Sequence, residues 1–163
     1  MSTAASLVVG SDGSTSKGAN SQGVSSPADR AIFLRRRGLA DVIIIGGNTA
    51  RTEPYGFTPV PLVVISRSDI NPVVKNPKAH IWRTSPADAI SRARETFGPN
   101  ILIEAGPAMI FELLAEKLID DLFLSVTSEI DGENPIDWKS LLLHFPHSQK
   151  SEVGGTQFFH AHN

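Results

Sequence analysis

The chain has 163 residues, 40% of them hydrophobic and 20% charged, with a formal net charge of −2 and no cysteine. That length suits one domain with a real core, and the charge argues against a broad electrostatic grip on nucleic acid. The missing cysteines exclude disulfides, thiolate catalysis and cysteine metal sites; no apolar run could span a membrane and residues 1–6 lack a signal-peptide pattern, so a cytoplasmic protein is expected.

Residues 4–9 read as a short buried strand, and residues 10–26, rich in Gly, Ser and Asn, as a long loop of the kind that carries function or moves. Ser26-Pro27-Ala28-Asp29 is a helix start: a capping hydroxyl, proline at the first helical position and an acid in the first turn. That helix runs to Arg37, is stopped by Gly38, and is expected to turn Ala31, Phe33 and Leu34 toward the core. Residues 41–45 form a continuous β-branched run, as in a strand buried on both faces of a parallel sheet, and residues 62–66 form another. Residues 79–83 are a weaker strand, and Ser85-Pro86 opens a helix that Gly98-Pro99 ends. An apolar strand then leads through Glu104 to Gly106-Pro107, a Leu-rich helix and a strand over 122–126. Residues 131–135 are a turn, residues 138–143 a strand or one helical turn, and Gly154-Gly155 leads into a last strand over 156–160. No repeat or linker divides the chain, so residues 1–163 are expected to form one α/β domain with a mostly parallel sheet.

In such sheets ligands bind beyond the carboxyl ends of the strands, where Gly46-Gly47, Ser66 and Gly106-Pro107 all fall. A small residue there lets a ligand approach the backbone, and a helix N-terminus presents free N–H groups to phosphate. Glu104 sits at the same lip. The commoner roles are structural: a tight turn at Gly46-Gly47, a cap at Ser66, a turn at Asp12-Gly13, a first-turn acid at Asp29. The pairs His144/His147 and His160/His162 lack an accompanying carboxylate motif, so no metal is expected.

Taken in order, these segments resemble the reductase domain of riboflavin biosynthesis, a dihydrofolate-reductase-like family that uses NADPH. The motifs are Ser11-Asp12-Gly13, Ser21 through Pro27, Val42 through Arg51, Ser66, and Glu104-Ala105-Gly106-Pro107 before the Leu-rich helix and Asp121-Leu122-Phe123-Leu124. The resemblance implies a central, mostly parallel sheet flanked by helices, with antiparallel C-terminal strands. It implies NADPH at Gly23, Gly46, Gly47, Thr49, Ser66 and the run Gly106, Pro107, Ala108, Met109 and Ile110. It implies a phosphorylated pyrimidine substrate at Ser21 and Arg37, Asp12 and Glu104 in catalysis, and a homodimer. Two departures stand out: Ser14 where some members carry a base after Asp-Gly, and Tyr55-Gly56-Phe57 where the family places a second phosphate-binding Arg. Pro27-Ala28-Asp29 with Phe33 also resembles the pterin-binding helix of dihydrofolate reductases, with Asp29 as the ring-holding carboxylate. A pterin reductase and a non-catalytic nucleotide-binding protein are therefore the alternatives.

Overall fold

The structure, a computed structural model, describes residues 1–163. Eight strands form one sheet: β1 (Ser2–Val9), β2 (Val42–Gly46), β3 (Leu62–Ile65), β4 (Ala79–Trp82), β5 (Asn100–Ile103), β6 (Asp121–Val126), β7 (His147–Val153) and β8 (Thr156–His162). Their spatial order is β4-β3-β2-β5-β1-β6-β8-β7. The first six in that order are mutually parallel, and β8 and β7 close the edge antiparallel. The helices are α1 (Pro27–Arg37), α2 (Gly47–Thr52), α3 (Pro86–Thr96), α4 (Pro107–Ala115) and α5 (Trp138–Leu142), with a 3-10 turn over Ser21–Val24. None is long and apolar enough to cross a membrane.

The β-branched run explains why β2 is central. Ile43, Ile44 and Ile45 are fully buried, alternating between the two faces of the sheet, and each such side chain contributes about 1.5–3 kcal/mol on burial. On one face Val42, Ile44, Ile101 and Ile103 pack against α3 and α4 through Ala89, Ile90, Ile110 and Leu113. On the other, Ile43, Ile45, Leu62, Val64 and Leu102 enclose Tyr55. The alternation along β5 puts Leu102 on that second face, and the next residue of the same parity, Glu104, follows it.

The same four residues open two helices. Ser26 Oγ accepts from Asp29 N in α1, and Ser85 Oγ accepts from Asp88 N in α3, both at 3.1 Å. Asp88 is exposed, as a first-turn acid with only a dipole role would be; Asp29 is buried. The local motif is shared and the tertiary environment is not.

Two elements differ from the sequence reading, and a third settles an alternative. Ala31 and Leu34 of α1 are exposed, and the inward face is instead Asp29, Ile32, Phe33, Arg36 and Arg37. This helix turns guanidinium groups, not aliphatic carbons, toward the sheet. The segment left open at 138–143 is helix α5, anchored by fully buried Leu141. Strand β7 was not expected: its seven residues are all exposed, so it carries no apolar alternation, and it is held by its ladder to β8. Gly154 and Gly155, at φ of 59° and 81°, make the tight two-residue link between them.

Candidate active site

The carboxyl ends of the parallel strands open into one cavity of about 810 Å³, large for a small-molecule site. It has two chemically distinct halves. In the first, Gly46 ends β2 and Gly47 and Thr49 follow it, and Gly106, Pro107, Ala108 and Met109 follow β5. Gly106 is the N-cap of α4 and no side chain caps that helix, so its first N–H groups are available to a ligand. Gly106 has φ −65°, which any residue adopts, and a Cβ built on it meets nothing within 4 Å. The left-handed conformation that glycine often supplies is therefore not needed here. What glycine leaves is open space against the backbone. Gly47 is small for another reason: a Cβ there would lie 3.2 Å from both Arg51 Nη1 and Ser66 Oγ.

The second half is built around a buried ion pair. Arg37 ends α1 and Glu104 follows β5; they are 6% and 5% exposed. Arg37 Nη2 donates to Glu104 Oε1 at 2.7 Å, and Nε donates to Oε1 and Oε2 at 3.1 and 3.0 Å. Tyr55 Oη donates to the same Oε1 at 2.8 Å. Oε1 thus accepts three bonds and Oε2 one. Burial opposes the Arg37 charge, but the Glu104 carboxylate outweighs it and holds the guanidinium more basic than usual. Burial, reinforced by the same carboxylate, pushes the Tyr55 phenol well above its ordinary range. Arg37 also lies over the rings of Phe33 at 4.4 Å and Tyr55 at 5.0 Å.

Ser21 and Asp29 complete this half. Ser21 N donates to Glu53 Oε1 at 2.7 Å, which ties the long loop to the end of α2. Asp29 Oδ2 accepts from Ser25 Oγ at 2.6 Å, and Oδ1 accepts nothing from the chain.

Four expected residues stand outside the cavity. Asp12 is a turn residue: Oδ1 accepts from Ser14 Oγ at 2.7 Å and Ser14 N at 3.0 Å, and Oδ2 from Asp131 N at 2.8 Å. Those bonds, the Ser14 hydroxyl first, hold its pKa below the ordinary carboxylate range. Gly23 is required by a close approach of its Cα to the Lys17 carbonyl, which a Cβ would strike. Ser66 Oγ accepts from Ser68 N at 3.1 Å as a cap, beside Gly47. Ile110 is fully buried core. No group of three or more His, Asp or Glu side chains converges to hold a metal; His160 Nε2 pairs instead with Asp121 Oδ1 at 2.7 Å.

Sequence reasoning missed Tyr55, Glu53 and Arg30 as cavity residues. Tyr55 was visible only as a departure, although a lone tyrosine after Glu-Pro near a strand end was available as a signal.

Residues 2–144 match the family model described as the RibD C-terminal domain. No curated protein matches the chain. Among solved structures, a pyrimidine reductase-like protein from Corynebacterium diphtheriae is 17% identical, with 99% of this chain and 91% of that one covered and a TM-score of 0.70. A diaminohydroxyphosphoribosylaminopyrimidine deaminase/5-amino-6-(5-phosphoribosylamino)uracil reductase from Thermotoga maritima is 14% identical, covered over 98% and 56%, with a TM-score of 0.69. RibD of Acinetobacter baumannii is 12% identical, covered over 99% and 57%, with a TM-score of 0.68. The chain spans about half the length of the latter two. At these identities the likeness is one of fold, which is dihydrofolate-reductase-like.

Proposed function

The chain belongs to the RibD C-terminal domain family, and on that premise we propose that it is an NADPH-dependent reductase of a phosphoribosylamino-pyrimidine in riboflavin biosynthesis. The observation that carries the reading is one cavity with two halves: an uncapped, glycine-opened turn before α4, and the buried Arg37–Glu104–Tyr55 group facing it. The open space at Gly106 and the free N–H groups of α4 fit a nucleotide diphosphate. When bound, NADPH supplies the hydride that converts the ribosyl carbon to its ribityl form.

The chain's own residues then have these tasks. Gly46, Gly47, Thr49 and the turn Gly106, Pro107, Ala108 and Met109 seat the cofactor. Glu104 Oε2, the less occupied oxygen, accepts a hydrogen bond from the acceptor, while Arg37 and Tyr55 fix the carboxylate's position. Ser21 brings the loop against the acceptor side. The catalytic gain is chiefly alignment of donor and acceptor carbons. A basic patch at Arg51 and exposed Arg67, beside Ser66, favours the 2′-phosphate of NADPH over NADH. A homodimer is part of the same proposal, and sedimentation velocity checks it. The reading is tested by titrating both cofactors and following NADPH oxidation with the pyrimidine.

One observation favours a second reading. Asp29 is buried at the cavity with a free oxygen, unlike its exposed counterpart Asp88, and a pterin amidine edge would suit it. Asp29→Asn assayed with dihydrofolate and with the pyrimidine separates the two: loss of an activity seen only on dihydrofolate selects the pterin.

A further inference from the structure

A second cavity, of about 260 Å³, lies where α1 meets the antiparallel edge of the sheet, and it shares no lining residue with the first. Ile32 and Arg36 form its helix wall; Phe123 and Ser125 of β6, beside His160 and Phe158 of β8, form its sheet wall. Two polar groups here lack the partners that burial calls for. Arg36 Nη1 donates to Ser6 Oγ at 2.9 Å and its guanidinium lies 4.1 Å from the centre of the Phe123 ring. Its Nε and Nη2 donate to nothing in the chain, and no carboxylate stands within ion-pair distance. Burial holds its pKa below the ordinary arginine value, and Asp29 and Glu104 offset that only in part. Ser125 is 4% exposed, and its hydroxyl makes no hydrogen bond.

We infer that this cavity binds a small apolar monocarboxylate, one ring or a short chain bearing a single carboxylate, gripped by Arg36 and Ser125. The inference goes beyond the reductase reading and does not rest on it. The charge of the ligand follows from the lining. His160 is matched by Asp121 Oδ1 at 2.7 Å. Lys150 also borders the cavity, but alternation along β7 and β8 sends its side chain to the other face of the sheet, over Phe159. Arg36 is thus the one unmatched charge, which a monoanion neutralises. The carboxylate follows from the edge left open. Arg37 holds Glu104 through Nε and Nη2, and the same planar edge of Arg36 is unpaired. Ser125 Oγ has a proton to donate to the same carboxylate. The apolar body follows from Ile32, Phe123 and Phe158, and the volume admits a single ring but not a nucleotide.

The test titrates benzoate into isotope-labelled protein and follows backbone amide shifts, with benzamide, the same ring without the charge, as comparator. Saturable shifts at Arg36, Ser125 and Phe158 are expected, with benzamide at least about tenfold weaker. Arg36→Met keeps the length of the side chain and removes the charge, and should weaken benzoate about ten- to a hundredfold. Ser125→Ala, the milder change, should weaken it about two- to tenfold and leave the fold intact, as thermal melts check. Arg35→Gln, at an exposed position of α1 that lines neither cavity, should leave benzoate binding unchanged. The inference is overturned if benzoate gives no saturable shifts, if benzamide binds equally well, or if the shifts gather at Gly47 and Gly106 in the first cavity. It is also overturned if Arg35→Gln weakens benzoate as much as Arg36→Met, or if a folded Ser125→Ala binds it as wild type does.

Discussion

Glu104→Gln probes the centre of the site. The variant keeps the shape of the side chain and one acceptor oxygen but removes the charge facing Arg37, which is 6% exposed. Removing one partner of a buried pair costs about 3–5 kcal/mol, because the remaining charge is left in a poorly solvated place. The retained amide oxygen puts the expected cost near the lower end, about 3 kcal/mol. A domain of this size loses roughly 2–4 °C of melting temperature per kcal/mol, so a fall of about 6–12 °C is expected. Urea unfolding at pH 7, with thermal melts, gives both numbers. Arg37→Met combined with Glu104→Leu removes both charges, and its loss should be clearly smaller than the sum of the two single losses. A change below about 1 kcal/mol in Glu104→Gln would refute the reasoning, since that is what a solvated surface pair gives.

The remaining predictions use other parts of the same structure. Tyr55 is the only tyrosine, so alkaline difference absorbance reads it directly: ionisation well above pH 10 is expected in the folded protein and near pH 10 in denaturant. The folded value is raised, so its contribution is whole below about pH 10 and is lost as pH rises through the folded value. The stability gap between wild type and Tyr55→Phe should therefore shrink from pH 8 to pH 11, and a constant gap counts against the buried phenol. Gly106→Val should stay folded, because its backbone is ordinary and its Cβ space is open, yet lose cofactor binding; normal titration with NADPH would show the turn is misassigned. Asp12→Ala should keep cofactor affinity and turnover, and lose stability above about pH 4 that wild type itself gives up as pH falls through the lowered folded value. A large loss of turnover would return Asp12 to the chemistry.

How much was legible depended on what kind of signal each residue carried. Ile43 to Ile45, the Ser-Pro starts at 26–27 and 85–86, and the Gly106-Pro107 turn are local signals, and each marks an element in the structure. β7 is polar throughout and carries no local signal, since its place is decided by pairing with β8. Ala31 and Leu34 looked like core by type, but α1 turns half-buried Arg36 and buried Arg37 inward instead. Arg36 donates to Ser6 and lies 4.1 Å over Phe123, and Arg37 meets a carboxylate 67 residues away. Such partners are set by topology, not by neighbours in the chain. For the same reason the lone tyrosine after Glu53-Pro54 carried only a weak signal of its place in the cavity, and Asp29 and Asp88 share an identical Ser-Pro-Ala-Asp context.

The most direct test follows reduced-nicotinamide absorbance as purified protein is mixed with NADPH and the phosphoribosylamino-pyrimidine. Acceptor-dependent oxidation is expected, one NADPH per ribityl product, with NADH a poorer donor. NADPH that binds and is never oxidised with this acceptor would contradict it, and would leave a nucleotide-binding protein on a reductase fold.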